Sequence, residues 1–276
     1  MPTTDVPCFY CGGSTAGQNH SREHCFSQRA RAASFGPIAP KLHAFRGTSP
    51  ATVQQHNQIP VVEDVCRKCN NARLQPYDVA GKKFAEDVDK LAGGDGASIY
   101  YSQDVIGFLL KTHLNYLRWT ERDPKSSVWP FPFDKQIVAS LRDHLPVPPE
   151  TYRLYIEGWS ADGLPPEFWK EEIDHPAPYD LFYVDVLGEV NIVASRWRIK
   201  WLETLLLLPR DGDYTDFDDR CAKVVSYFKG KGYEWQHLDE PLPDVAALRI
   251  VSLADWKSVK PRIEQFRQAE EFFRKP

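Results

Sequence analysis

The chain has 276 residues, of which 42% are hydrophobic, 26% charged and 13% aromatic, a composition that excludes disorder and fibrous repeats. Its length allows one large domain or two small ones, enough to bury roughly 70–75% of the unfolded surface. A net charge of −4 excludes a general nucleic-acid coat protein; apolar runs such as Leu205–Leu208 fall far short of the ~20 residues of a membrane span; and Met1-Pro2-Thr3-Thr4-Asp5 is no secretory signal, so the cytosol is the expected compartment.

In chain order, residues 1 to about 80 are rich in Gly, Ser, Thr, Gln, Asn and Pro and show little amphipathic periodicity. Such a segment is not expected to build an ordinary core, so a metal must supply stability. A helix is expected to open over Cys66–Leu74, with Pro76 in its first turn or at its end. The glycines of Leu91-Ala92-Gly93-Gly94-Asp95-Gly96 mark a boundary. Beyond it, Val105, Ile106, Phe108, Leu109, Leu110, Leu114 and Leu117 give a broad apolar face to a helix over Asp104–Trp119. A Pro- and Trp-rich connection follows, then a short helix over Lys135–His144 stopped by Pro146. Leu181–Leu187 and Val190–Ala194 read as a hairpin around Gly188-Glu189. Leu202–Leu208 reads as a buried strand, Leu248–Leu253 as another, and Asp216–Phe228 and Ser258–Arg274 as helices. The expected fold class is therefore α+β: a small module over residues 1–90 and a mixed α+β domain over 97–276. Charge follows the same division. Residues 1–85 hold ten Lys or Arg against five Asp or Glu, a net of +5, and the remainder carries −9.

Six cysteines are too few for a disulfide scaffold. Cys8 and Cys11 form one CxxC and Cys66 and Cys69 another, and two such pairs in an intracellular chain read as a tetrahedral zinc site. Two redox dithiols are the alternative, but neither pair is followed by the helical pattern of a thioredoxin-like motif. Cys25 is a spare zinc ligand, and Cys221 a core residue. The 54 residues between Cys11 and Cys66 are long for a zinc ribbon, and they carry Ser21-Arg22-Glu23-His24-Cys25. In an extended strand, Glu23 and His24 point to opposite sides, so one can bind a metal while the other meets a water; a surface Glu beside a satisfied His is the plain alternative. Asn70, directly after the last cysteine, suits either a helix cap or an oxygen ligand to a hard cation, and Asn71 competes for both roles. Asp78 is expected to be an ordinary surface acid. His20 is incidental, and His43 and His56 are weak substitutes as ligands. Arg22, Arg29, Arg31, Arg67, Lys68 and Arg73 flank this constellation and could clamp phosphates.

The pattern Cys-x-x-Cys-Gly, Ser-x-Glu-His, Cys-x-x-Cys-Asn-Asn over residues 5–80 resembles the zinc-stapled branch of the HNH endonucleases, and Ile106–Thr112 is similar to a helix downstream in that branch. The resemblance implies a ββα-metal fold in which Cys8, Cys11, Cys66 and Cys69 bind structural Zn2+. It implies His24 as general base, with Glu23 and Asn70 holding a catalytic Mg2+ or Mn2+. It further implies hydrolysis of a phosphodiester, of double-stranded DNA in the first instance, to a 5′-phosphate and a 3′-hydroxyl, with Arg22, Arg67, Lys68 and Arg73 on the nucleic acid. The sequence departs from the family at Ser27, where many members have Pro. It departs again at the middle Asn, which Val61–Val65 does not supply; Asn57 and His56 lie further upstream. The acidic C-terminal half could recognise, regulate or assemble, through a homodimer or a protein partner, without contact to membranes. The competing reading is a non-catalytic zinc module that binds nucleic acid or protein.

Overall fold

The computed structural model describes residues 6–35, 42–45, 53–56, 61–91, 98–121, 134–158, 179–184, 191–199, 202–209, 212–229, 235–238 and 246–249. Helices and antiparallel strands make it an α+β protein. Among the described residues no helix is long and apolar enough to cross a membrane.

Near the N-terminus, β1 (His20–His24) pairs antiparallel with β4 (Val61–Cys66). Between them run α1 (Gln28–Phe35), β2 (Leu42–Phe45) and β3 (Val53–His56). The expected helix after Cys66 begins as a π-helical turn, Cys69–Arg73, and continues as α2 (Gln75–Leu91), with Pro76 in its first turn, where a missing N–H costs no intrahelical bond. β5 (Ser98–Tyr101) leads into α3 (Gln103–Glu121), and α4 (Lys135–Asp143) follows. Asp134 caps α4 by accepting the Gln136 N–H at 2.6 Å, and His144, at φ 56°, ends it two residues before Pro146.

The main sheet has seven strands. It takes β2 and β3 together with β6 (Arg153–Gly158), β7 (Tyr179–Val184), β8 (Ile192–Ile199), β9 (Leu202–Pro209) and β10 (Gln236–His237), in the order β10-β6-β9-β8-β7-β2-β3. β7 and β8 pair antiparallel, Phe182 opposite Ala194, as expected of these two stretches; the expected turn at Gly188-Glu189 lies outside the described residues. β9 is buried throughout, as its run of leucines requires. The helix α5 (Phe217–Lys229) occupies the expected stretch, and β11 (Ala246–Arg249) pairs with β5. The expected helix over Ser258–Arg274 and most of the expected strand over Leu248–Leu253 lie outside the described residues.

Residues 105–119 of α3 are all buried, the mark of a helix enclosed on every side. One flank packs on α2, where Gly81 and Gly107 permit the approach: a Cβ at Gly81 would stand 2.4 Å from the Phe108 ring, and one at Gly107 2.3 Å from the Tyr77 ring. The other flank packs on β8 and β9 around Trp197 and Leu206. The opposite sheet face, with Ile192, Ala194, Leu205 and Leu207, is covered by Phe217, Cys221, Val224 and Phe228 of α5.

The N-terminal segment does contribute to an ordinary core, contrary to the reading of its composition. Cys8, Tyr10, Cys25, Phe26, Val62, Val65 and Leu74 join the same buried cluster as Leu109, Trp197 and Leu238. That cluster therefore crosses the glycine-rich boundary expected near residue 93. So does the sheet, because β2 pairs in parallel with β7 at Ala44 and Tyr179. The periodicity missed this core because its apolar residues are spread over short strands and turns, and each meets a partner distant in sequence.

Candidate metal centre

The first knuckle is a tight turn. The Cys8 N–H donates to the Gly13 carbonyl at 2.6 Å, the Gly12 N–H donates to the Cys8 carbonyl at 2.7 Å, and Gly12 takes φ +71°, a conformation that suits glycine. The second knuckle joins the end of β4 to the π-helical turn. The Cys66 N–H donates to Cys8 Sγ at 3.3 Å and ties the two knuckles together. As a result the sulfurs of Cys8, Cys11, Cys66 and Cys69 all lie within 4.8 Å of one another, and those of Cys11 and Cys66 are 3.7 Å apart. A tetrahedral zinc with arms of about 2.3 Å requires sulfurs about 3.8 Å apart, so this set fits the ion. Burial pushes the Cys8 and Cys69 thiols up. At Cys11 burial is outweighed by the Gly13 N–H and the neighbouring cysteines, which bring its thiol down to about 7. Arg73 aims a guanidinium N–H at Cys69 Sγ from 3.9 Å. Cys25 lies outside the cluster, buried, with its thiol directed at the Asn115 carbonyl at 3.4 Å.

The strand, hairpin partner and helix place the remaining candidates around β1. The β1–β4 register shifts between Ser21 and Glu23, with Glu23 opposite Val62 and His24 opposite Val61. Asn70, in the π-helical turn, donates its amide to Ser21 Oγ at 2.7 Å and to the Arg22 carbonyl at 3.1 Å, fastening the helix to this irregularity. Glu23 and His24 do face apart, as a strand dictates: Glu23 is 3% exposed and His24 is half-buried. Gln28 Nε2 lies 2.8 Å from His24 Nε2. An amide nitrogen only donates, so this imidazole nitrogen accepts.

Glu23 does not stand open. Its Oε1 is 2.6 Å from the Nζ of Lys111, which also lies 2.5 Å from Asp78 Oδ1. Lys111 is fully buried, yet the two carboxylates outweigh that burial and hold its pKa up. Asp78, read from the sequence as a surface acid, is thus a partner in a buried triad. Two further residues of α3 reach the same region. Asn115 donates to the His24 carbonyl at 3.3 Å, and its Oδ1 accepts from Arg118 at 2.9 Å and from the Tyr10 hydroxyl at 3.4 Å. Arg118 pairs with Asp64 at 2.5 Å and stacks on Phe9, 3.9 Å from the ring centroid. Lys111, Asn115 and Arg118 are spaced four and three apart, one stripe of a helix. That buried polar stripe on a largely apolar helix was the signal in the sequence for these partners.

The basic residues differ in their settings. Arg67 and Lys68 are exposed between Cys66 and Cys69. Arg22 is exposed and lies 3.5 Å from Glu63, a surface pair of little energetic weight. Arg73 is turned towards Cys69. His43 and His56 lie on β2 and β3 in the large sheet, and their side chains lie outside the description. No family model, curated protein or solved structure matches this chain.

Proposed function

We propose that this chain is an HNH-type endonuclease that hydrolyses nucleic-acid phosphodiesters, DNA in the first instance, with His24 as general base. The observation that carries this reading is the closure of the Asn70 turn onto β1, which joins hairpin and helix around Glu23 and His24 above a four-cysteine cluster fit for zinc. Asn70 holds the carbonyl of Arg22 and Asn115 that of His24, so the backbone is gripped on both sides of Glu23. The Nε2 lone pair of His24 is the basic atom. A water taking the place of the Gln28 amide would lose its proton to that nitrogen while its oxygen attacks phosphorus and the bond to the 3′-oxygen breaks, the departing oxygen taking a proton from solvent water to become the 3′-hydroxyl. Arg67 and Lys68 would meet the flanking phosphates. Zinc on Cys8, Cys11, Cys66 and Cys69 would serve as a staple and take no part in the chemistry.

A divalent ion on Glu23 and Asn70 does not fit the residues as folded. The Glu23 carboxylate, the acidic ligand such an ion needs, is already paired with the Lys111 ammonium, so no step is assigned to such an ion. The same ion pair favours the second reading, a zinc-stapled module that binds without cutting. Plasmid cleavage by the zinc-loaded protein, with and without Mg2+ or Mn2+, separates the two. Under the nuclease reading His24→Ala lowers the rate by roughly 10²–10⁴-fold at unchanged zinc content and melting temperature. Unchanged turnover removes His24 as base, and no cleavage by the wild type leaves the binding module.

A further inference from the structure

We infer that Lys111 is the resident cation of a carboxylate site formed by Glu23 and Asp78, and that a divalent ion gains this site only by displacing the ammonium. The inference concerns the residues of the proposed active centre but does not depend on cleavage. Both carboxylates place an oxygen within 2.6 Å of one Nζ atom. Small dications gather oxygens about a single centre in the same way, at about 2.0–2.6 Å, so the ammonium and a dication compete for one place.

Three features keep the lysine there. Its side chain is fully buried, with no exposed position to which the charge can withdraw. Burying a lysine is tolerated only with close counter-charges, and it has two. The helix behind it is fixed by Asn115 and Arg118 to the hairpin, by His113 to the sheet and by Gly107 to α2. Two carboxylates face the single ammonium, and burial pushes the Glu23 carboxyl up against the pull of Lys111. The Asp78 side chain is 21% exposed where those of Glu23 and Lys111 are 4% and 0%, which places the approach from solvent on the Asp78 side.

The test uses the full-length, zinc-loaded protein with Mn2+ as probe, binding being read by water-proton relaxation and by melting temperature. The wild type should show no uptake that Glu23→Gln removes. Lys111→Met, which leaves the buried Glu23 and the partly exposed Asp78 without a cation, should melt lower than wild type, bind one equivalent of Mn2+ at least tenfold tighter, and recover melting temperature with the ion. Adding Glu23→Gln should abolish that gain. The inference is overturned if wild type binds an equivalent of Mn2+ that Glu23→Gln weakens tenfold, or if folded Lys111→Met gains no affinity. Should Lys111→Met fail to fold even with Mn2+, Asp78→Asn in the wild-type background decides: unchanged Mn2+ uptake supports the resident lysine, and a tenfold loss overturns it. Plasmid cleavage by His24→Ala tests the nuclease reading separately, so either can fail alone.

Discussion

A thiol cluster and a neutral imidazole make opposite demands on their surroundings, and each is met by individual hydrogen bonds. At Cys66 the backbone N–H already points at Cys8 Sγ, so the folded chain presents ligands in place for a metal whose binding free energy is folding free energy. Cys66→Ser should lose stoichiometric zinc and lower the melting temperature sharply, and chelation should do the same to the wild type; both are read by metal analysis and thermal unfolding. His113 on α3 is the imidazole. Thr204 gives its hydroxyl proton to the Trp197 carbonyl at 3.1 Å, so at 3.0 Å it accepts from His113 Nε2–H, and Nδ1 accepts from Ser195 at 2.8 Å. Burial brings the His113 pKa down to about 3. The unfolded chain therefore takes up a proton below about pH 6.5 that the folded chain refuses. Stability falls as pH drops from there towards 3, by up to about 1.4 kcal/mol per pH unit for this group. His113→Gln should cost stability at pH 7, and the gap to wild type, read from urea unfolding, should narrow at pH 5.

At the scale of elements, the crossing of α2 and α3 governs where the triad forms. Tyr77 lies against Gly107 and Phe108 against Gly81, and Lys111 is one turn beyond that contact, beneath Asp78. A methyl at Gly107 would meet the Tyr77 ring at 2.3 Å, and that ring is anchored by a hydroxyl bond to the Leu141 carbonyl at 3.0 Å. Overpacking of this kind costs about 1–3 kcal/mol. Gly107→Ala should be destabilised by that amount in chemical denaturation. The long elements were legible in the sequence because their patterns are local: the apolar face of α3, the leucines of β9 and the β7–β8 pairing. The strands and helix between the two CxxC pairs were not. Those strands are four to six residues long, and their stability comes from partners on other elements.

For the whole molecule, the consequence is a module that does not close on itself. Phe26 packs on Phe108 and Trp197, Asp64 pairs with Arg118, and Glu23 with Lys111; each partner lies beyond residue 100. A fragment ending near Gly94 should therefore leave Glu23 and Asp64 without their cations and Phe26 exposed. We expect it to aggregate or to unfold without cooperativity even when zinc is supplied, as circular dichroism and sedimentation would show. A soluble, cooperatively folding, zinc-bound fragment would refute this expectation.

By itself the sequence determined the cysteine quartet, the adjacency of Glu23 and His24 and the α+β class. Ligand type, alternation along a strand and helical periodicity are properties of short stretches of chain, and they survive in any compact fold. Only the tertiary structure decided that Lys111 lies between Glu23 and Asp78, that Asn70 grips a strand, and that the core passes through the glycine-rich boundary. The physical reason is range. A buried charge is tolerated only where an opposite charge arrives to meet it, and here the two are 88 residues apart along the chain, a distance no local pattern encodes.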